Sequence, residues 1–166
     1  MRKILLLLLT VFLLVGCGEQ TVFETLGQIQ HQPQQMALAA TVQLSLPPSA
    51  ALQTVSAGTD RLYECDGYTL TVQTLEGGDL SRTVQTLSGF APEKLTILET
   101  KTDLQRYDWV WSAMGEDGAL LCRAAVVDDG NYHYCVCLIA PAESAASLSG
   151  QWNALLASIA LSDPQN

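Results

Sequence analysis

The chain has 166 residues, 48% of them hydrophobic and 15% charged, with 17 acidic against 8 basic side chains and a formal net charge of −9. That length suffices for one domain with a sizeable core. The acidic balance repels phosphates and anionic headgroups, which excludes nucleic acid as an expected partner.

Reading from the N-terminus, Met1-Arg2-Lys3 precedes an apolar run from Ile4 to Val15, and Gly16-Cys17 follows. Two cations, a short apolar core and a small residue before a cysteine make an export signal with its processing point attached. The run has 12 residues, whereas crossing a bilayer as a helix takes about 20, so it reads as a signal core and not as a span. Leu14-Val15-Gly16-Cys17 resembles the lipobox of bacterial lipoproteins. The resemblance implies that residues 1–16 are a signal peptide, that the Cys17 thiol carries diacylglycerol, and that the protein sits on the extracytoplasmic side of a cell membrane, inner or outer. Two acyl chains, at ~0.8 kcal/mol per buried methylene, make such an attachment effectively permanent. Loss of Arg2 and Lys3 with the signal leaves six basic against 17 acidic residues and a formal charge of −11.

Residues 17–36 read as a tether. Val22, Phe23, Leu26 and Ile29 recur at helical spacing, and a polar tract from Gln28 to Gln35 with His31 and Pro33 follows. From residue 37 to 163, period-two alternation bounded by turn residues predicts a single domain built mainly of strands. Ala40 to Leu46 is a predicted strand stopped by Pro47-Pro48. Arg61 to Cys65 and Tyr68 to Leu75 flank Asp66-Gly67, a strong hairpin signal. After Gly77-Gly78, Asp79 suits a helix N-cap, Leu80, Val84 and Leu87 share a face, and Gly89 suits the terminator. Leu95 to Thr100 is the next predicted strand. Tyr107 to Met114, Ala119 to Val127 and Tyr132 to Ala140 form a meander, with turns at Glu116-Asp117-Gly118 and Asp128-Asp129-Gly130-Asn131. These paired acids read as turn residues and not as a calcium site. Last, Ala145, Leu148, Trp152, Leu155 and Ile159 recur at three- and four-residue steps from near Pro141, which predicts a closing helix, with Pro164 beyond it.

The expected fold is α+β: an antiparallel sheet with a long C-terminal helix and a second helix packed on it. The strand ending in Leu46-Pro47, the helix after Gly77-Gly78, the meander, and the closing helix with Ala157-Ser158-Ile159-Ala160-Leu161 at its end resemble the layout of the PsbP/Mog1-like sandwich over residues 40–162. That resemblance implies an architecture and no reaction.

The meander also sets side chains on faces. Setting Val127 against Tyr132, and Glu116 against Ala119, places Cys122 opposite Cys137, Ala124 opposite Cys135, Trp111 beside Ala124 and Trp109 beside Val126. Tyr107, Trp109, Trp111, Cys122, Ala124, Val126, His133, Cys135, Cys137 and Ile139 then share one face. Val110, Met114, Leu121, Ala125, Val127, Tyr134, Val136 and Leu138 share the other, and the apolar character of both predicts that each is covered at least in part. Residues two apart on a strand lie ~6.6 Å apart, and His133 to Cys137 spans ~13 Å, so one metal ion is out of reach for the set. A disulfide between Cys122 and Cys137 is the chemical alternative, with Cys65 and Cys135 as a second pair. The other reading takes all four as small buried hydrophobes.

Tyr107, Trp109 and Trp111 form an aromatic stripe: a stacking surface for sugar rings if exposed, core if buried. Trp152 on the closing helix is a possible contact for it. His133 beside Cys135 sits in a predicted core strand and not in the electropositive opening that a catalytic thiol needs. No catalytic, metal or cofactor motif emerges. The expectation is a membrane-anchored, non-catalytic module that binds a protein or an envelope component. The alternatives are a small-molecule or glycan receptor using the Tyr107, Trp109 and Trp111 face, and an extracytoplasmic enzyme using His133.

Overall fold

In the computed structural model of the chain, residues 38–55, 60–101 and 104–162 are described. The export signal, Cys17, the tether with His31, and Pro164 lie outside the described residues. The elements in chain order are β1 (Thr41–Gln43), β2 (Ala51–Val55), β3 (Arg61–Cys65), β4 (Tyr68–Glu76), α1 (Leu80–Ser88), a 3-10 turn (Pro92–Lys94), β5 (Leu98–Lys101), β6 (Gln105–Gly115), β7 (Gly118–Asp128), β8 (Tyr132–Pro141), α2 (Ala142–Ala157) and β9 (Ala160–Ser162). Seven strands make one sheet in the order β2-β3-β4-β8-β7-β6-β5, and every neighbouring pair is antiparallel. β1 and β9 form a separate two-stranded ribbon.

Local signals explain most of these elements. The β3–β4 hairpin turns at Asp66-Gly67, where Gly67 takes φ +79°, a left-handed conformation open to glycine at little cost. Asp79 caps α1 by accepting the Ser81 amide at 3.0 Å, and Gly89 ends it in the left-handed conformation. The sheet is held in its middle by the long-range pairing of β4 with β8, which sets Leu70 against Leu138 and Val72 against Val136, all fully buried. α1 covers one face, where Val84, Trp109, Trp111, Cys122, Ala124, Val126, Cys135 and Cys137 form one core cluster. α2 covers the other, packing Trp152, Leu155 and Leu156 with Tyr68, Tyr134, Val136 and Leu138.

Both turns of the meander sit one residue away from the expected place. The Asp129 amide donates to the Tyr132 carbonyl at 3.3 Å and Gly130 has φ +88°, so Gly130-Asn131 are the central residues, with glycine first as a primed turn prefers. Asp129 fixes this turn: its Oδ1 accepts the amides of Asn131 at 2.8 Å and Tyr132 at 2.7 Å. Moving a turn by one residue moves every partner by two. Cys122 therefore faces Ile139 and not Cys137, while Cys137 faces Ala124 and Cys135 faces Val126. The β6–β7 turn likewise centres on Glu116-Asp117, which sets Trp111 against Cys122 and Trp109 against Ala124. Because a two-residue shift keeps the alternation, the expected faces survive although the expected partners do not.

The C-terminal end differs in kind. α2 has 16 residues and stops at Ala157, so Ile159 and Leu161 do not extend its apolar stripe. Ser158 accepts the Ser45 amide through its hydroxyl at 2.9 Å, and Ala160–Ser162 turns into β9 against β1. The open hydrogen-bonding edge of β1 outcompetes one further helical turn. β2, unmarked in the sequence, completes the far edge of the sheet with a register irregularity between Leu52 and Thr54.

Candidate functional site

The chemistry-bearing residues of the meander are closed off beneath α1. Trp109 and Trp111 are 2% and 8% exposed, their rings stacked with centroids 6.3 Å apart. They fill the interface under Val84 and Leu87, and Tyr107 packs at the border of that cluster. The Tyr107, Trp109 and Trp111 stripe is therefore packing and does not offer a stacking surface. Trp152 belongs to the opposite face, where its ring meets Tyr68 edge-on at 6.0 Å.

The four cysteines Cys65, Cys122, Cys135 and Cys137 are buried free thiols. The observed register makes Cys122 and Cys137 diagonal neighbours, a spacing of about 7–8 Å between Cα atoms, beyond what a disulfide bridges without backbone movement. Burial pushes the Cys137 thiol up to about 12, and the neighbouring Cys122 adds to the effect. Burial also raises Cys135, so these thiols are held protonated and inert as nucleophiles. His133 is 1% exposed. Its Nδ1 lies 2.7 Å from the Thr83 hydroxyl of α1, and its Nε2 lies 3.5 Å from Asp128 Oδ2. The imidazole thus ties α1 to the end of β7 from inside the core. Among the described residues no group of three or more His, Cys, Asp or Glu side chains is placed to hold a metal ion.

The open feature lies on the α2 side of the sheet. Seven strands at about 4.8 Å spacing span about 29 Å, whereas a helix with its side chains is about 10 Å wide. α2 packs on β7 and β8 and leaves the β5–β6 end bare. On that shelf Leu98 is 64% exposed, Val110 49% and Met114 80%. Leu104 is exposed beside them.

Between the shelf and the C-terminal end of α2 runs a groove of about 590 Å³, with walls that include Leu98, Leu104, Val127, Ile159 and Leu161. A second hollow of about 280 Å³ continues it past Val110, sharing Leu98, Asp108 and Arg123. Two arginines and one aspartate are the charged side chains of the groove. Arg106 is committed: it makes two 2.7 Å hydrogen bonds to the Asp108 carboxylate and one, also 2.7 Å, to the Leu156 carbonyl at the end of α2. Arg123 donates to Asn153 Oδ1 at 2.5 Å and has no carboxylate within ion-pair distance among the described residues.

The sequence assigns Val110, Met114, Leu121 and Val127 to this face and predicts cover on at least part of it, without saying which part stays open. The signal that exposes the shelf is arithmetic: one predicted helix on that side is too narrow for the strands predicted. Leu104, Arg106, Asp108, Arg123 and Leu161 carry no local motif and become a site only through the sheet order.

No protein-family model matches the sequence, and no curated protein matches it. Solved structures do. The chain is similar to the cyanobacterial PsbP (CyanoP) of Synechocystis sp. PCC 6803, with 12% identity and a TM-score of 0.55, over 74% of this chain and 94% of that one. It is also similar to the Ran-binding protein Mog1p of Saccharomyces cerevisiae, with 12% identity and a TM-score of 0.51, over 74% of this chain and 91% of that one. At such identity the likeness shows the fold alone. The fold is PsbP/Mog1-like: mixed α and β, with antiparallel sheets and, among the described residues, two helices.

Proposed function

We propose that this chain is a lipid-anchored extracytoplasmic module that binds a protein or envelope component, without catalysis, through the shelf and groove beside α2. The observation that carries the reading is the group of exposed apolar side chains Leu98, Leu104, Val110 and Met114 on one end of the sheet next to a concavity of about 590 Å³. Exposed apolar surface of this kind, joined to a cleft, marks interaction sites. The Cys17 anchor is supported by the lipobox resemblance of Leu14-Val15-Gly16-Cys17, and it would hold the groove close to other membrane-associated molecules. His133, Cys122, Cys135 and Cys137 are buried on the α1 face and take no part in this surface.

The test places a photoreactive amino acid at Val110 or, as a control, at the exposed Leu52 on the far edge strand β2, in the native cell. A discrete product at position 110 and none at position 52 is expected. No product at 110, or equal products at both, overturns the binding surface. In parallel, Cys17→Ser should move the protein from the detergent phase to the aqueous phase, and unchanged partitioning overturns the anchor.

A further inference from the structure

We infer that the groove selects an acidic, aliphatic polypeptide segment, one carboxylate of which pairs with Arg123. This deepens the binding reading and rests on it. The argument is charge complementarity. A chain of net charge −9 would in general attract basic partners. The groove has the opposite bias, with Arg106 and Arg123 against Asp108.

The two arginines are not equivalent. The forked bond of Arg106 to Asp108 satisfies both charges and adds the Leu156 carbonyl, so that pair builds the wall at the end of α2 and has little left for a ligand. Arg123 spends one donor on a neutral amide oxygen. Its remaining donors and its full charge are unclaimed by any carboxylate among the described residues, and it lines both hollows. A guanidinium offers five donors in a fixed fork suited to a carboxylate.

The surroundings of Arg123 set the rest of the specificity. Its direct cross-strand partner is the exposed Val110, and Leu98 lies on the next strand outward. A segment lying over the shelf would therefore meet apolar surface directly outward of Arg123. Beyond the concavity the same face of β6 runs past Ser112 to the exposed Met114, about 13 Å along the strand from Val110, a reach longer than a compact small ligand needs, which favours a polypeptide as occupant. Specificity of this kind also works by rejection, since a lysine or arginine brought to Arg123 is repelled at close range.

The experiment is a selection from a phage-displayed library of random dodecapeptides against the full chain purified in detergent, followed by binding of the enriched peptides to variants. Enriched sequences should combine Leu, Ile or Val with Asp or Glu. Arg123→Gln should weaken them by about tenfold or more, the loss expected for a charge-assisted pair. Arg123→Lys should recover part of that loss. Val110→Glu, which presents a carboxylate to Arg123 from across the strand pair, should abolish binding with the circular dichroism spectrum unchanged.

Enrichment of basic or charge-indifferent peptides, no enrichment, or equal binding to Arg123→Gln overturns the inference. So does displacement of every selected peptide by dodecanoate at lower concentration than the peptides themselves need, which would make the occupant a lipid. Concentration-dependent self-association abolished by Val110→Glu would make it a second copy of this chain, with the same consequence. If the Val110 photoproduct persists in cells while the selected peptides lack acids, the charge argument falls and the binding reading stands. If both fail, both fall.

Discussion

Strand β6 carries two surfaces that differ by a single residue step. Trp109 and Trp111 point under α1 and are almost fully buried, while Val110 between them is half exposed and Met114 is 80% exposed. The same alternation produced both, and nothing in the strand itself separates them. Covering is decided by width: among the described residues each face has one helix, and the side holding α2 leaves its β5–β6 end open. An apolar stripe in a strand therefore predicts a face and not its fate, and here the more aromatic stripe is core while the plainer one is surface.

The sharpest way to break that contrast is to truncate a side chain on each side. Trp109→Ala should destabilise by about 3–5 kcal/mol in denaturant unfolding, as for large buried aromatics elsewhere. If it unfolds at the wild-type midpoint, α1 does not seal that face. The next effect is at the end of β8, where the Tyr134 hydroxyl donates to Asp129 Oδ2 at 2.6 Å and accepts the Ala40 amide at 3.0 Å. Tyr134→Phe should cost about 1–2 kcal/mol, the low end for a bond to a charged group because Asp129 is partly solvated.

The pH dependence of that bond follows from both groups. For Asp129, burial works to raise its pKa, but the bonds from Tyr134 and from the Tyr132 and Asn131 amides outweigh it, so the value is lowered. The carboxylate contribution is fully present above the ordinary value of 3.8 and is lost as pH falls through the lowered one. For Tyr134, burial and the Asp129 bond push the phenol up to about 12. Its contribution is fully present below the ordinary value of 10.0 and is lost as pH rises toward 12. The stability difference between wild type and Tyr134→Phe should be flat between those limits and shrink outside them in thermal melts.

On the open side, Met114→Ser should change stability by less than about 0.5 kcal/mol, with any effect confined to binding. A larger loss would mean that the shelf is structural. The smallest expected effect is from a reductant: with Cys122 opposite Ile139 and not Cys137, dithiothreitol should leave the melting temperature unchanged, and a drop would show a bridge that this register does not favour.

Much of the fold could be read before the structure because its signals are local. Asp79 and Gly89 bracket α1 where expected, and Asp66-Gly67 closes its hairpin. The faces of the meander were right for the same reason, since alternation is a property of each strand alone. Partners were wrong by two because a register depends on which of several turn residues takes the left-handed conformation, and Gly130 and Gly118 each sit in a cluster of plausible turn formers. β9 reads as the end of the closing helix because Ile159 fits the helical stripe just before it, and the competing edge of β1 lies over a hundred residues away. The groove was hidden for a related reason. Its arginines stand on different strands, and the difference between a committed Arg106 and an available Arg123 depends on Asp108, two residues along the same strand as Arg106, and on Asn153, which only the packing of α2 brings to Arg123.

The ribbon of β1 and β9 pairs Thr41 with Ser162 and Gln43 with Ala160, so the polypeptide enters and leaves the described fold at the same end of one short ladder. Tension applied between those two ends would peel the ladder open rung by rung rather than shear all of it together. The resistance to pulling is then that of one rung at a time, and the weakest point of the domain under mechanical load is where its two ends meet, while the central β4–β8 pairing stays out of the line of force.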